Sequence, residues 1–151
     1  MSTADLRNDA GDYERDFYAW ANRQAALLRE GRVVEADLEH IAEEIASMGR
    51  AEKRELVSRL AVLLLHLLKW QAQPGLRSNS WRLSIAEQRI RLADHLEDNP
   101  SLRPLLPEGL QTAFRLALLR AQRETGLPDQ KFPQECPWSA EQAMADGFLP
   151  D

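Results

Sequence analysis

Three histidines and a scatter of carboxylates are the side chains in this sequence able to do acid–base or metal chemistry. Asp37, His40 and Glu44 follow i, i+3, i+7 spacing, which puts them on one side of a helix. Carboxylate and imidazole on a bundle helix can ligate a di-iron centre, but such centres take Glu-x-x-His from each of two helices. The chain has no Glu-x-x-His, and His40-x-x-Glu43 reverses the order without a second copy. A solvated acidic helix face accounts for the same residues, so neither a metal ligand nor a cofactor is expected.

His66 offers different chemistry. It stands on a polar line (Glu52, Glu55, Arg59, His66, Lys69, Gln73) along an otherwise apolar stretch, and Trp70, Arg77, Trp81 and Arg82 cluster about the turn that follows. Basic residues interleaved with Trp can hold a phosphate, a carboxylate or a stacked base. Arg59, His66, Lys69, Trp70, Arg77, Trp81 and Arg82 are therefore the candidate ligand-binding residues. The competing reading makes His66 a half-buried structural residue and both Trp core plugs. No catalytic residue is expected. Cys136 lacks the context of a nucleophile, His95 lies among Asp94, Glu97 and Asp98 and reads as surface, and no Ser-His-Asp, phosphate-loop or zinc-deaminase motif occurs.

These side chains need a frame, and the stretch from Leu56 to Trp70 supplies its centre. A helix with one neighbour needs an apolar stripe of about 100°. Here Leu56, Val57, Leu60, Ala61, Leu64, Leu67, Leu68 and Trp70 fill most of the circumference, so this helix, about 51–73, must be surrounded. It is too short and too interrupted by charge to cross a membrane, which takes ~20 apolar residues.

A chain of 151 residues can bury a proper core as one domain, residues 12–151, behind a loose segment over 1–11. One cysteine excludes an internal disulfide, and the start lacks a signal-peptide pattern, so the cytoplasm is expected. The net charge of −5 is unevenly spread. Basic and acidic residues number 5 and 11 over 1–49 (−6), 9 and 3 over 50–92 (+6), and 5 and 10 over 93–151 (−5). An acidic–basic–acidic chain can neutralise itself on folding. The other reading is a basic face for a polyanion.

In chain order, Asp12 is an expected N-cap for a first helix over 12–30, closed by Gly31. Val34, Leu38, Ile41, Ala42, Ile45 and Met48 give a second helix one buried face, with Glu35, Asp37, Glu39, Glu43 and Glu44 opposite. Gly49 either caps it or bends it into the central rod, and a break or sharp bend is the expectation. Pro74-Gly75 ends the rod. A fourth helix over 80–98 buries Trp81, Ile85, Leu92 and Leu96, widened by Ile90 and Ala93. Pro107 opens a fifth helix that Gly126 closes. A proline-rich strap over 127–138 leads to a short last helix, 139–145, started by Ser139 and Gln142. No alternating strand pattern occurs. The fold class is all-α, a bundle of about five main helices around the central one, with a short C-terminal helix and an ordered strap.

Several stretches also resemble a known family. Asp16-Phe-Tyr-Ala-Trp20, the run from Leu38 to Gly49, Leu63-Leu-Leu-His-Leu-Leu-Lys-Trp-Gln71, Asn99-Pro-Ser-Leu-Arg103 and Phe132-Pro-Gln-Glu-Cys-Pro-Trp138 are similar to the bacterial "domain of unknown function, family 29". They span about residues 12–149. The resemblance implies a compact helical domain and carries no activity or catalytic residue.

The function expected is a small binding or regulatory module whose partner is another protein, with no membrane insertion. The alternative is an anion or nucleic-acid binder, or a hydrolase without a familiar motif, built around His66 and the Trp/Arg turn.

Overall fold

The computed structural model describes residue 9 and residues 11–151. The loose segment expected over 1–11 therefore lies, apart from Asp9 and Gly11, outside the described residues. The fold is all-α. Helical residues 11–15 (α1) are followed by α2 (Phe17–Arg29), α3 (Leu38–Ala72), α4 (Asn79–Asp98), α5 (Leu106–Thr125) and α6 (Ala140–Met144), with short 3-10 turns between them. No strand occurs among the described residues. The chain forms two compact units, Met1–Ala51 and Glu52–Asp151. No helix among the described residues is long and apolar enough to cross a membrane.

In the first unit the expected helix over 12–30 is interrupted. Asp16 leaves helical geometry (φ −144°, ψ 75°), and its carboxylate accepts from the Ala19 N–H at 3.1 Å, so Asp16 rather than Asp12 caps α2. A short acidic side chain that can bond the backbone locally favours such a cap over a helix interior. The other end matches the expectation. Gly31 adopts φ +73°, its N–H reaching the Leu28 carbonyl at 3.1 Å and that of Arg32 the Leu27 carbonyl at 2.9 Å. Those two bonds satisfy carbonyls at the helix end, and glycine enters this conformation without a Cβ clash.

Gly49 does not break the chain. The expected second helix and central rod are one helix of 35 residues, α3. Glycine costs about 1 kcal/mol in a helix interior, and strong helix formers flank it on both sides. A break would expose unpaired N–H and carbonyl groups at two new ends. A Cβ at Gly49 would meet nothing within 4 Å, so packing does not force a bend either.

Before Gly49, the covered arc of α3 is not the apolar one. Val34, Leu38, Ile45 and Met48, expected to be buried, are exposed, Val34 at 95%, Met48 at 68% and Ile45 at 64%. The half-buried side instead carries Asp37, His40, Ile41, Glu44 and Ser47. Trp20, Gln24 and Leu27 of α2 are buried in this unit. Two of them bond Asp37: the Trp20 indole N–H donates to its carboxylate at 3.0 Å, and Gln24 Oε1 accepts from its N–H at 2.7 Å. Hydrogen bonding, not apolar periodicity, selects the covered arc.

The second unit follows the sequence closely. Leu56, Leu60, Ala61, Leu63, Leu64, Leu67 and Leu68 are fully buried, as an all-round apolar helix requires. Ser78 caps α4 by accepting from the Trp81 N–H at 3.2 Å. Ile85, Leu92 and Leu96 of α4 are buried, but Trp81 is half-buried and Ile90 and Ala93 are exposed. Arg89 and His95 take the expected apolar places, so His95 is not a surface residue. Gly126 closes α5 at φ +72°. The strap seats Phe132 and Trp138 in the core, and Ser139 caps α6 by accepting from the Gln142 N–H at 3.1 Å.

Candidate functional site

The residues of the Trp/Arg turn are drawn into local pairs. The Arg77 guanidinium lies 5.1 Å from the Trp70 ring centre, and its Nε donates to the Trp70 carbonyl at 2.8 Å, satisfying a last-turn acceptor of α3. Lys69 Nζ sits 4.8 Å from the Trp81 ring centre and 3.5 Å from Glu124, its side chain only 15% exposed. Arg82 donates to Asn79 at 3.0 Å, and Arg59 to Glu55 at 2.8 and 3.0 Å. His66 Nδ1 is 2.8 Å from the Val62 carbonyl, four residues back on the same helix. A carbonyl only accepts, so that nitrogen carries the hydrogen. Trp70 with Arg77, and Trp81 with Lys69, are brought together; Arg59 belongs to a different group.

That group is centred on His95. Glu52 and Glu55 are one turn apart on α3, and His95 reaches them from α4, 7% exposed. His95 Nε2 bonds the Glu52 backbone carbonyl at 2.9 Å. Nδ1 lies 3.6 Å from one carboxylate oxygen of Glu52 and 3.6 Å from one of Glu55. The Arg59 hydrogen bonds take the other Glu55 oxygen and, against the opposing effect of burial, hold that carboxyl below its ordinary range. A hollow of about 180 Å³ opens here, lined by Glu55, Arg59, Arg91, Asp94, His95 and Asp98. Sequence spacing carries no signal for a contact across 43 residues; the one hint is that Glu52 and Glu55 share the polar line of an apolar helix. A larger hollow of about 420 Å³ is lined by the apolar Val57, Gly109 and Leu116 and by the polar Lys53, Arg54, Ser58, Glu108 and Thr112, of which Lys53 and Glu108 pair with each other at 3.5 Å. Neither hollow is lined by His66, Trp70 or Trp81.

In the first unit, Asp37, His40 and Glu44 form a bonded network and not a solvated face. Asp37 takes a hydrogen bond from Trp20, and the same oxygen lies 2.8 Å from His40 Nδ1. Tyr13 stacks on His40 with ring centres 4.0 Å apart and donates to Glu44. That hydrogen bond, with burial and the Glu44 charge behind it, pushes the Tyr13 phenol up to about 12. The hydrogen bond to Asp37, opposed by burial and helped by nearby carboxylates, raises His40. Each of these polar atoms bonds within the unit, so the cluster works as a clasp. On the outer side of α3, Leu38, Ile45 and Met48 stay exposed, with Val34 just before the helix.

Cys136 is half-buried, its thiol 3.3 Å from the Trp138 carbonyl, and burial pushes its pKa up. A thiol held in its protonated form is a poor nucleophile.

The family model described as "Domain of unknown function DUF29" matches residues 13–149. No curated protein and no solved structure matches the chain.

Proposed function

The chain belongs to the DUF29 family, whose description assigns no activity, and from its own residues we propose that it is a protein-binding module. The observation behind this reading is the exposed apolar row of Val34, Leu38, Ile45 and Met48 on the N-terminal unit. Large apolar side chains exposed on one side of a helix, here Leu38, Ile45 and Met48 of α3 with Val34 in the turn before it, are the kind of surface that proteins use for interaction. On α3, Leu38, Ile45 and Met48 stand at i, i+7 and i+10, one side of the helix along which an amphipathic helix can lie.

Charge selects the partner. Residues 1–49 carry −6; Glu39 follows Leu38 on α3, while Glu35 and Glu43 pair with Arg32 and Arg50. A helix with a Leu-rich face and Lys or Arg at its margins complements this surface, whereas a second copy would set like charges together. The binding unit is residues 12–151 acting as one domain, and a cytoplasmic location accords with the free thiol.

The test uses a fluorescent 18-residue peptide with a Leu face and Lys flanks, beside a version with Glu flanks. The Lys peptide should bind the full chain at micromolar concentration and the Glu peptide should not. Ile45→Gln with Met48→Gln should weaken binding tenfold or more at unchanged melting temperature. Equal binding of both peptides, or a dimer in sedimentation that the double variant dissociates, overturns the reading.

A further inference from the structure

We propose that Glu52, Glu55 and His95 bind a divalent transition-metal ion of the zinc class, through one oxygen of each carboxylate and Nδ1 of the imidazole. The proton on His95 decides what this cluster can hold. Nε2 stands 2.9 Å from the Glu52 carbonyl oxygen, which can only accept, so Nε2 carries the hydrogen. In a neutral ring Nδ1 is then a bare lone pair. It is aimed at two carboxylate oxygens, each 3.6 Å away, beyond hydrogen-bond distance. His95 is only 7% exposed while Glu52 and Glu55 are 46% and 41% exposed, so the three acceptors face one another at the mouth of the hollow, where a cation can enter and join them.

The dimensions suit an ion. The three ligand atoms lie within 4.8 Å of one another. Atoms bound at about 2.1 Å from a common tetrahedral centre stand roughly 3.4 Å apart, close to the separations from Nδ1. The surroundings are those of a ligand set. A metal-bound histidine normally donates its second N–H to a carbonyl or carboxylate, as His95 does. Arg59 holds the far oxygen of Glu55 at 2.8 and 3.0 Å, fixing the near one towards His95. One nitrogen with two carboxylates favours zinc or its neighbours over magnesium and calcium, which prefer all-oxygen sets. Three protein ligands leave a fourth position, and the hollow with Asp94 and Asp98 on its wall gives water or a small ligand room to fill it.

The competing occupant of this geometry is a proton on Nδ1, and the experiment separates the two. Full-length protein is titrated with Zn²⁺ alone by calorimetry at pH 7.5, and the ring nitrogens are followed by ¹⁵N NMR. One Zn²⁺ per chain should bind at micromolar concentration or tighter, move the His95 Nδ1 resonance and raise the melting temperature by several degrees. Glu52→Gln, whose side chain is 46% exposed and can be changed without unfolding the protein, should weaken binding tenfold or more. Co²⁺ should give the visible absorption of a four-coordinate site, and Mg²⁺ should not compete. An imidazolium His95 indifferent to Zn²⁺ would overturn the proposal. So would Zn²⁺ binding that Glu52→Gln leaves intact, or that shifts only His40 or His66.

Discussion

Arg89 on α4 holds Phe148 by its backbone, donating from Nη2 to the Phe148 carbonyl at 2.7 Å, while its Nε donates to the Ala143 carbonyl at 2.9 Å. One guanidinium thus closes the end of α6 and pins the tail, where Phe148 packs edge-on to Trp138 at 6.4 Å. Burial works against the charge, and Asp146 supports it. Replacement by Met would keep the apolar stem and orphan two carbonyls. Arg89→Met should therefore cost about 2–3 kcal/mol in urea unfolding, as for hydrogen bonds to charged groups. Arg89→Lys should recover only part, since an ammonium lacks the planar fork that spans both acceptors. A loss under about 0.5 kcal/mol, the range of surface changes, would remove Arg89 as the tail's anchor.

The continuity of α3 gives a prediction of opposite sign. Gly49 is exposed, helical and has open space where a Cβ would stand. Gly49→Ala should stabilise the protein by about 1 kcal/mol and raise its melting temperature by a few degrees. If a hinge at Gly49 were part of the native structure, the same change would destabilise it.

How much of this is readable from the sequence depends on what decides each helix face. Between Leu56 and Leu68 apolar residues cover most of the circumference, so nearly every way the helix turns the outcome is burial, and hydropathy suffices. Before Gly49 the helix carries both an apolar and a polar arc, and periodicity identifies the arcs without saying which meets a neighbour. The indole of Trp20 and the amide of Gln24 settle it by bonding Asp37. Buried polar groups must find partners, and a one-dimensional pattern does not display them. The same holds for His95 and Arg89, whose partners lie 43 and 59 residues away.

The clasp in the first unit should be visible to pH. The bond to Asp37 raises His40 above its ordinary 6.5, so the stability it adds is complete below 6.5 and lost as pH rises through the raised value. Asp37 moves the other way. Burial opposes its charge, yet hydrogen bonds from His40 and Trp20 win and lower it from 3.8, so its contribution is present above 3.8 and lost as pH falls through the lowered value. In ¹⁵N NMR, His40 should titrate above 6.5, and Asp37→Asn should bring its midpoint down. A midpoint unmoved by that substitution would mean that the pair does not hold in solution.

The basic turn gives the last prediction, because its cations differ in what they already do. Arg77 satisfies the Trp70 carbonyl and covers the Trp70 ring, so Arg77→Ala should cost about 1–2 kcal/mol. Arg82 is exposed and its guanidinium bonds the neutral side chain of Asn79, so Arg82→Ala should stay within about 0.5 kcal/mol. Lys69 is engaged by Glu124 and Trp81, and Arg59 by Glu55. Cations already paired with carboxylates, as Arg59 and Lys69 are, neutralise fewer phosphates and so release fewer of the counterions condensed on a polyanion, which is what drives such binding. A fluorescent single-stranded oligonucleotide should therefore show no anisotropy change with the full chain at about 0.15 M salt. Micromolar binding that weakens steeply with salt, and disappears in a folded Arg82→Glu variant, would show that the turn presents free positive charge and would move the functional site from the apolar row to the Trp/Arg turn.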